Sequence, residues 1–223
     1  MKHEIIQTND GSTTIHLPEW NESYHSKHGA IQEAYHVFIK NGLDSFQGIS
    51  ISVLEIGFGT GLNGFITYLE SKKNKQSVDY VGVEAYPVDL DVAMKMNYPD
   101  KIDATQSLVF KQIHECNWEQ KIQISEYFSL TKRKQFFQDI QDVAAFDLIY
   151  FDAFGFRVQP ELWSDAIFAT MHKALKPNGV LVTYACRTSI KNAMLSAGFS
   201  VEKLVGAPGK REMLRANKAS DKN

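Results

Sequence analysis

The chain has 223 residues, of which 43% are hydrophobic, with 14 Phe and 9 Tyr; that suits one α/β domain with a modest N-terminal extension. The formal net charge is −2, which excludes bulk electrostatic attraction to nucleic acid, so any RNA contact must use a local basic patch. No apolar run reaches the length of a membrane span, and Met1-Lys2-His3-Glu4 does not open a signal peptide.

Residues 4–8 and 13–17 are β-prone around Asn9-Asp10-Gly11, which predicts a hairpin that Pro18 closes. The polar-aromatic segment 24–39 follows and is expected to line a pocket mouth. From Ala30 it has helical period, with Ile31, Ala34, Tyr35 and Phe38 on one stripe. His25, His28 and His36 lack the i, i+4 spacing of a helical zinc site and have no thiol nearby, so no metal is expected. Gly42 and Gly48 bracket a loop before the buried strand Ser52-Val53-Leu54-Glu55-Ile56, which runs into Gly57-Phe58-Gly59-Thr60-Gly61 and a helix. The basic stretch 70–75 complements that helix's C-terminal dipole. Residues 78–84 form a second strand ending in the acid Glu84. Helices are predicted over 89–96 and 106–116, then a strand over 128–137 with Lys132-Arg133-Lys134 expected in solvent or, alternatively, on phosphate. The near-continuous apolar run 146–154 marks a strand covered on both faces, with Asp152 at the ligand-binding edge. A helix over 160–175 stops at Lys176-Pro177-Asn178-Gly179, a strand occupies 180–185, and the segment 189–196 leads to Ala197-Gly198-Phe199. Two closing strands, 201–205 and 212–215, make an antiparallel hairpin. Residues 1–45 thus read as an extension, 46–216 as the domain and 217–223 as a polar tail. The lone cysteines Cys116 and Cys186 have neither CxxC nor zinc spacing and suit reduced thiols in the cytoplasm.

The glycine turn carries the chemistry. Gly57, Gly59 and Gly61 permit positive φ and close approach of a ligand to the backbone. The helix that follows offers free N–H groups and a positive dipole end to an anion, while Glu55 can pair with an amine. Two cofactors compete for this turn. Gly59-x-Gly61-x-x-Gly64 with Glu84 some way beyond fits a dinucleotide. Glu55-x-Gly57-x-Gly59-x-Gly61 fits S-adenosylmethionine, with Glu84 on the ribose hydroxyls. A glycine triplet alone does not choose between them, nor against a turn that holds no ligand. The closing hairpin does: a dinucleotide domain ends in parallel strands and needs a substrate domain, for which no residues remain. The fold expected is therefore α/β, a Rossmann-like class I S-adenosylmethionine-dependent methyltransferase with a mostly parallel seven-stranded sheet and an antiparallel C-terminal hairpin. Around the cofactor we expect Glu55, the three turn glycines, Asn63, Glu84 and Ala85. Asp139, with Asp142 as its rival, is expected on the adenine amine. Asp152 would either face the transferred group or only bind cofactor. A methyl acceptor amine must be neutral, so a nearby carboxylate can take its proton, and Asp152 is the candidate, with Phe154 packing against the acceptor.

Several pieces together resemble the MnmC-type tRNA methyltransferase domain in its stand-alone, MnmD-like form. They are Glu33 with Tyr35-His36-Val37-Phe38-Ile39, Leu54 to Asn63, Glu84-Ala85-Tyr86-Pro87, Phe151-Asp152-Ala153-Phe154 and Pro208-Gly209-Lys210-Arg211-Glu212-Met213. The family carries a proline shortly after its Asp-Ala-Phe, where Gly155 and Phe156 stand here. The resemblance implies N-methylation of 5-aminomethyl-(2-thio)uridine at the tRNA wobble position, downstream of an enzyme complex that installs the aminomethyl group. No residues here match the flavin-dependent oxidase domain of the fused members. Glu33, Tyr35 and Tyr184 are pocket candidates; Lys210 and Arg211 are candidates for contacts to the anticodon loop. The alternatives are a small-molecule N- or O-methyltransferase of the same fold, a non-enzymatic adenosine-binding module and a nicotinamide oxidoreductase.

Overall fold

Three apolar strands set the frame: β4 (Ile51–Ile56), β5 (Val78–Val83) and β8 (Phe146–Phe151). They read as nearly unbroken hydrophobic runs because both faces of the sheet are covered. Val53, Tyr80, Leu148 and Tyr150 point to one face, and Leu54, Val81, Ile149 and Phe151 to the other. The computed structural model describes residues 2–220. Its sheet has eight strands, counting β6 (Lys121–Ser125), β7 (Phe128–Arg133), β9 (Leu175–Thr183), β10 (Ser200–Val205) and β11 (Glu212–Asn217), in the order β10-β11-β9-β8-β4-β5-β7-β6. The centre, from β9 to β7, is parallel, and the C-terminal hairpin is antiparallel as its short loop required. One strand more than the expected seven is present. β6 pairs antiparallel with β7 at the far edge, and its alternation of exposed and half-buried residues is too polar to stand out in the sequence.

Helices α2 (Leu62–Asn74) and α5 (Ser107–Glu115) cover the first face; α6 (Asp165–Ala174) and α7 (Thr188–Ser196) carry the buried residues that cover the second. Short helices α3 (Leu90–Ala93) and α4 (Tyr98–Ile102) link β5 to α5. At the N-terminus β1 (Glu4–Gln7), β2 (Thr13–Leu17) and β3 (Glu22–Ser23) form a small antiparallel sheet whose Ile15 and Leu17 join the main core. Asn97 pins it, accepting from the Thr13 N–H at 2.8 Å and donating to Gly11 O at 3.0 Å. The expected helix from Ala30 begins as α1 (Ala30–Ala34) and widens into a π-helical turn, Tyr35–Lys40. That turn buries Val37, Phe38 and Ile39 together, and Phe38 meets the Tyr150 ring at 5.0 Å.

Three local expectations need correction. The segment 176–179 continues into β9 instead of ending a helix, with Asn178 taking φ 63° to keep the strand going. Lys132 is buried, not solvated: its ammonium donates to His114 O at 2.5 Å and lies 5.0 Å from the Trp118 ring centroid. Arg133 pairs with Asp142 at 2.7 Å, so neither group is free for a ligand. The expected polar tail falls in two parts. Asn217 ends β11 and Lys218 is tied to the carbonyls of His172 and Leu175, whereas 221–223 lie outside the described residues.

Candidate active site

The register of the central strands brings three chain segments to one point. Ile56 is opposite Val83 on one side and Phe151 on the other. Gly57 N–H donates to Val83 O at 3.0 Å, and Asp152 N–H donates to Ile56 O at 2.9 Å. The residues after those strand ends, Gly57, Glu84 and Asp152, therefore share one edge of the sheet. The chain leaves β4 toward β5 on one side and β8 toward β9 on the other, so this edge is the switch point where open α/β sheets hold ligands. A cavity of about 910 Å³ opens there.

The glycine turn is built for close approach. Gly57 has φ 89°, and a Cβ there would stand 2.6 Å from Asp152 O; Gly59 has φ 48°, with a Cβ reaching 3.1 Å from the Tyr24 ring. Gly61 takes φ 72° as the N-terminal residue before α2. Thr60 fixes the turn from behind: its hydroxyl meets Tyr98 OH at 3.0 Å and His25 Nε2 at 3.4 Å, and its carbonyl accepts from His114 Nε2 at 3.1 Å. Desolvation pushes both histidines down to about 4, so they stay neutral.

Behind the turn lies a linked acid–amide–acid group. Asn63 Nδ2 donates to Glu55 Oε1 and to Asp152 Oδ2, each at 2.9 Å. Glu55 Oε2 and Asn63 Oδ1 are buried without a partner, an arrangement that costs stability and that a donor such as an ammonium would relieve. Burial pushes the Glu55 carboxyl well above its ordinary value. Burial also dominates at Asp152, taking it up to about 7; Asn63 and Lys210 oppose that rise and Glu33 adds to it. Glu84 is raised by burial, and its oxygens accept from the N–H groups of Gly59 (3.1 Å) and Tyr86 (3.0 Å). Each of those oxygens keeps a lone pair for a diol.

Aromatic rings form the other end of the cavity. Phe154 meets the edges of Tyr24 (4.9 Å) and Trp20 (5.7 Å), and Tyr184 donates its hydroxyl to Ala153 O at 2.9 Å. Glu33 and Lys210 form an ion pair in the same wall. Of the residues predicted from sequence, Gly57, Gly59, Glu84, Ala85, Asp152, Phe154, Glu33, Tyr184 and Lys210 line this one cavity; Glu55 and Asn63 support it from behind. Four others are not in the lining, Gly61 among them, which stands just behind it at the start of α2. Asp139 is exposed and lies off the lining, where its neighbour Gln138 stands instead; a short 3₁₀ turn, Phe137–Asp139, rotates it away. Arg211 is exposed on the hairpin loop, and Tyr35 packs half-buried against the core. Trp20 and Tyr24 carry no individual signal in the sequence, and His25 was weighed there only as a metal ligand, although the polar-aromatic character of 24–39 pointed to the neighbourhood of Tyr24 and His25.

The site fits S-adenosylmethionine on its own evidence. Bare glycine backbone, a helix N-terminus, an acid with a free buried oxygen and a second acid placed for a diol suit a zwitterion joined to a nucleoside. The pattern of the S-adenosyl-L-methionine-dependent methyltransferases matches residues 100–219, more than half of the chain. The chain belongs to that family. Among curated relatives, this methyltransferase is 26% identical over 214 residues to the tRNA 5-methylaminomethyl-2-thiouridine biosynthesis bifunctional protein MnmC of Marinomonas sp., covering 89% of this chain and 31% of the relative. The protein of the same name from Leptospira borgpetersenii is 27% identical, covering 87% of this chain and 32% of its own length. The methyltransferase chain thus spans about a third of the length of these relatives. Among solved structures, MNMC2 from Aquifex aeolicus superposes with a TM-score of 0.76 at 22% identity, over 100% of this chain and 73% of that one. Streptomyces venezuelae DesVI superposes with a TM-score of 0.51 at 14% identity over 85% of this chain and 92% of that one, the same fold. Among the described residues no cluster of three or more His, Cys, Asp or Glu could hold a metal, and no helix is long and apolar enough to cross a membrane.

Proposed function

We propose that this methyltransferase N-methylates the primary amine of 5-aminomethyl-(2-thio)uridine at the wobble position of tRNA, giving the 5-methylaminomethyl product. The observation that carries the reading is Asp152: a carboxylate held at the strand end by Asn63, raised to about 7, and followed two residues later by a ring in an aromatic pocket. The names of the MnmC relatives support the choice of substrate.

When bound, S-adenosylmethionine would supply a sulfonium methyl group open to attack by an amine lone pair, the new N–C bond forming as the C–S bond breaks and S-adenosylhomocysteine leaves. Glu55, Asn63 and the turn glycines would hold its amino-acid end, and Glu84 with Ala85 its ribose. An ammonium has no lone pair, so the residues that manage the substrate's proton govern the rate. Asp152 accepts that proton, and a carboxyl near 7 is well matched to do so at neutral pH. Phe154, Trp20 and Tyr24 offer edges and faces to the extruded base, which in an anticodon loop is already nearly unstacked. Asn63 fixes the carboxylate's orientation. A tRNA substrate places the reaction in the cytoplasm, after the enzymes that build the aminomethyl group. The test is methyl transfer from labelled S-adenosylmethionine to bulk tRNA and to metabolite extracts, followed by nucleoside mass spectrometry. Label in the 5-methylaminomethyl nucleoside is expected; label in the metabolites alone would assign the enzyme to a small molecule.

A further inference from the structure

Lys210 arrives on the loop between β10 and β11 and turns inward. Its ammonium pairs with Glu33 and lies 4.1 Å from the centroid of the Tyr184 ring. The side chains are 30% and 11% exposed, so this is a partly desolvated pair and not a surface one. The loop that carries it is clamped. Gly209 takes φ 84° against the His28 ring, Lys210 N–H donates to Ala207 O at 2.8 Å, and His36 Nε2 donates to Val205 O at 2.8 Å. Glu33 is held as well, accepting from Ser26 N–H at 3.1 Å. An ammonium fixed in this way is not available to an RNA phosphate, the role its sequence position suggested.

The pair shares the cavity with Asp152. Of the other acids that line the cavity, Glu22 pairs with Arg157, Glu84 accepts from backbone N–H groups and Glu161 lies at the rim; Glu33, the one that acts on Asp152, is cancelled by Lys210. Without Lys210, Glu33 would become a second anion, able to hold the ammonium away from Asp152. We propose that the Lys210–Glu33 ion pair is a positioning device: it neutralises the carboxylate of Glu33 in the wall shared with Asp152, directs the substrate amine to Asp152 and sets the charge that Asp152 feels. This rests on the reading of Asp152 as the group that receives the amine's proton.

The electrostatics agree, since Lys210 favours the ionised form of Asp152 and Glu33 disfavours it. The other groups that act on or face Asp152 are Asn63 from α2, Glu55 from β4, Tyr80 from β5, Tyr98 from α4 and Tyr184 after β9. Burial raises Glu55 and the three tyrosines, so their neutral forms are favoured. Glu33 and Lys210 are therefore the full charges that tune it.

The experiment is a ¹³C NMR titration of the Asp152 carboxyl in the full chain, which needs no substrate, alongside pH–rate profiles of tRNA methylation. In Lys210→Met, which keeps an apolar stem over Tyr184, the Asp152 midpoint should rise by about one pH unit. In Glu33→Gln it should fall by a similar amount, and the double variant should return toward wild type. Lys210→Arg should rescue the single substitution. The acid limb of kcat should follow the same order, and Lys210→Met should lower kcat at pH 7 several-fold while leaving S-adenosylmethionine binding intact. Thermal melts of all four variants identify any that fail to fold, and the conservative Arg variant keeps the comparison open in that case. Midpoints that neither single substitution moves, or a double variant that does not return, would overturn the inference. A wild type that shows the expected midpoints but methylates no tRNA would overturn the substrate reading instead.

Discussion

Acidic residues at two ends of the same sheet behave in opposite ways. On the antiparallel edge, Glu202 accepts from Arg215 at 2.7 Å and from Asn217 at 3.2 Å, and Glu212 pairs with Lys203 at 2.9 Å. Both carboxyls are held below their ordinary values, chiefly by hydrogen bonds from those cations. At the carboxyl ends of the parallel strands, Glu55, Glu84 and Asp152 are all raised, chiefly by burial. The edge acids contribute stability that is present above their unfolded values and is lost as pH falls through the folded ones. The cavity acids do the reverse: their ionised forms burden the fold increasingly above the unfolded value, until the folded value is passed. At the cavity, charge is left without compensation where a ligand can supply the partner.

The largest effect that would sharpen this contrast comes from Asp152→Asn. Methyl transfer should fall by about 10²–10⁴-fold, the range for loss of a general base. The ligand-free protein should at the same time be more stable at pH 8, by on the order of 4 kcal/mol, because a carboxylate held up to about 7 no longer has to ionise in the fold. The gain should shrink as pH falls from 7 toward 4, where the wild-type carboxyl is protonated in the fold as well. Urea unfolding at several pH values measures it, and equal stability of the two proteins at pH 8 would break the contrast.

Next is Gly57→Ala. The added Cβ would meet the backbone carbonyl of Asp152 at 2.6 Å, which no side-chain rotation can relieve, and φ 89° strains any L side chain. About 1–3 kcal/mol of stability should go, and the thermal shift induced by S-adenosylmethionine should disappear. A normal ligand-induced shift would show that the turn does not hold the cofactor.

Much of this edge was legible because its signals are local. A run of apolar residues ending in Glu55-x-Gly57-x-Gly59-x-Gly61 announces a buried strand, a turn and a helix whatever surrounds it, and Asp152 ends a second run of the same kind. The polar strand β6 was not legible, because its side chains alternate between exposed and half-buried and carry no apolar stripe. Lys132 and Lys210 misled for a shared reason. A lysine among polar neighbours reads as solvated, yet one is bent onto His114 O and the other onto Glu33 by partners 18 and 177 positions away. Asp139 missed the cavity by a single residue: the expected acid follows a short 3₁₀ turn whose phase puts Gln138 in the lining instead. Long-range partners and the phase of a short turn are tertiary facts.

A smaller test concerns the buttress behind the glycine turn. His114 is held neutral by burial, down to about 4, and donates to Thr60 O. Below about pH 6.5 the unfolded chain takes up a proton that the folded chain refuses, so stability is lost as pH falls from there to about 4. Between pH 7 and pH 5 wild type should therefore lose about 2 kcal/mol relative to His114→Gln, which keeps an N–H donor but cannot titrate. Parallel pH profiles for the two proteins would show that the ring is solvated after all.

The smallest effect is Glu202→Gln, the same acid-to-amide exchange as at Asp152 carried out on the other end of the sheet. Here the carboxylate has solvent and a cation, with side chains 41% and 29% exposed, so the exchange should cost stability rather than add it. The loss should be a few tenths to about 1 kcal/mol at neutral pH, the ordinary range for an exposed pair. It should be erased by about 1 M salt, which leaves a Debye length near 3 Å, whereas the gain at Asp152 should change less, because a half-buried charge is screened less than an exposed one. Opposite signs with unequal salt responses, from one chemical change at two sites, would tie the difference to burial and not to the residue type. Like signs would mean that the cavity carboxylate already has a compensating charge, and Lys210 would be the first place to look for it.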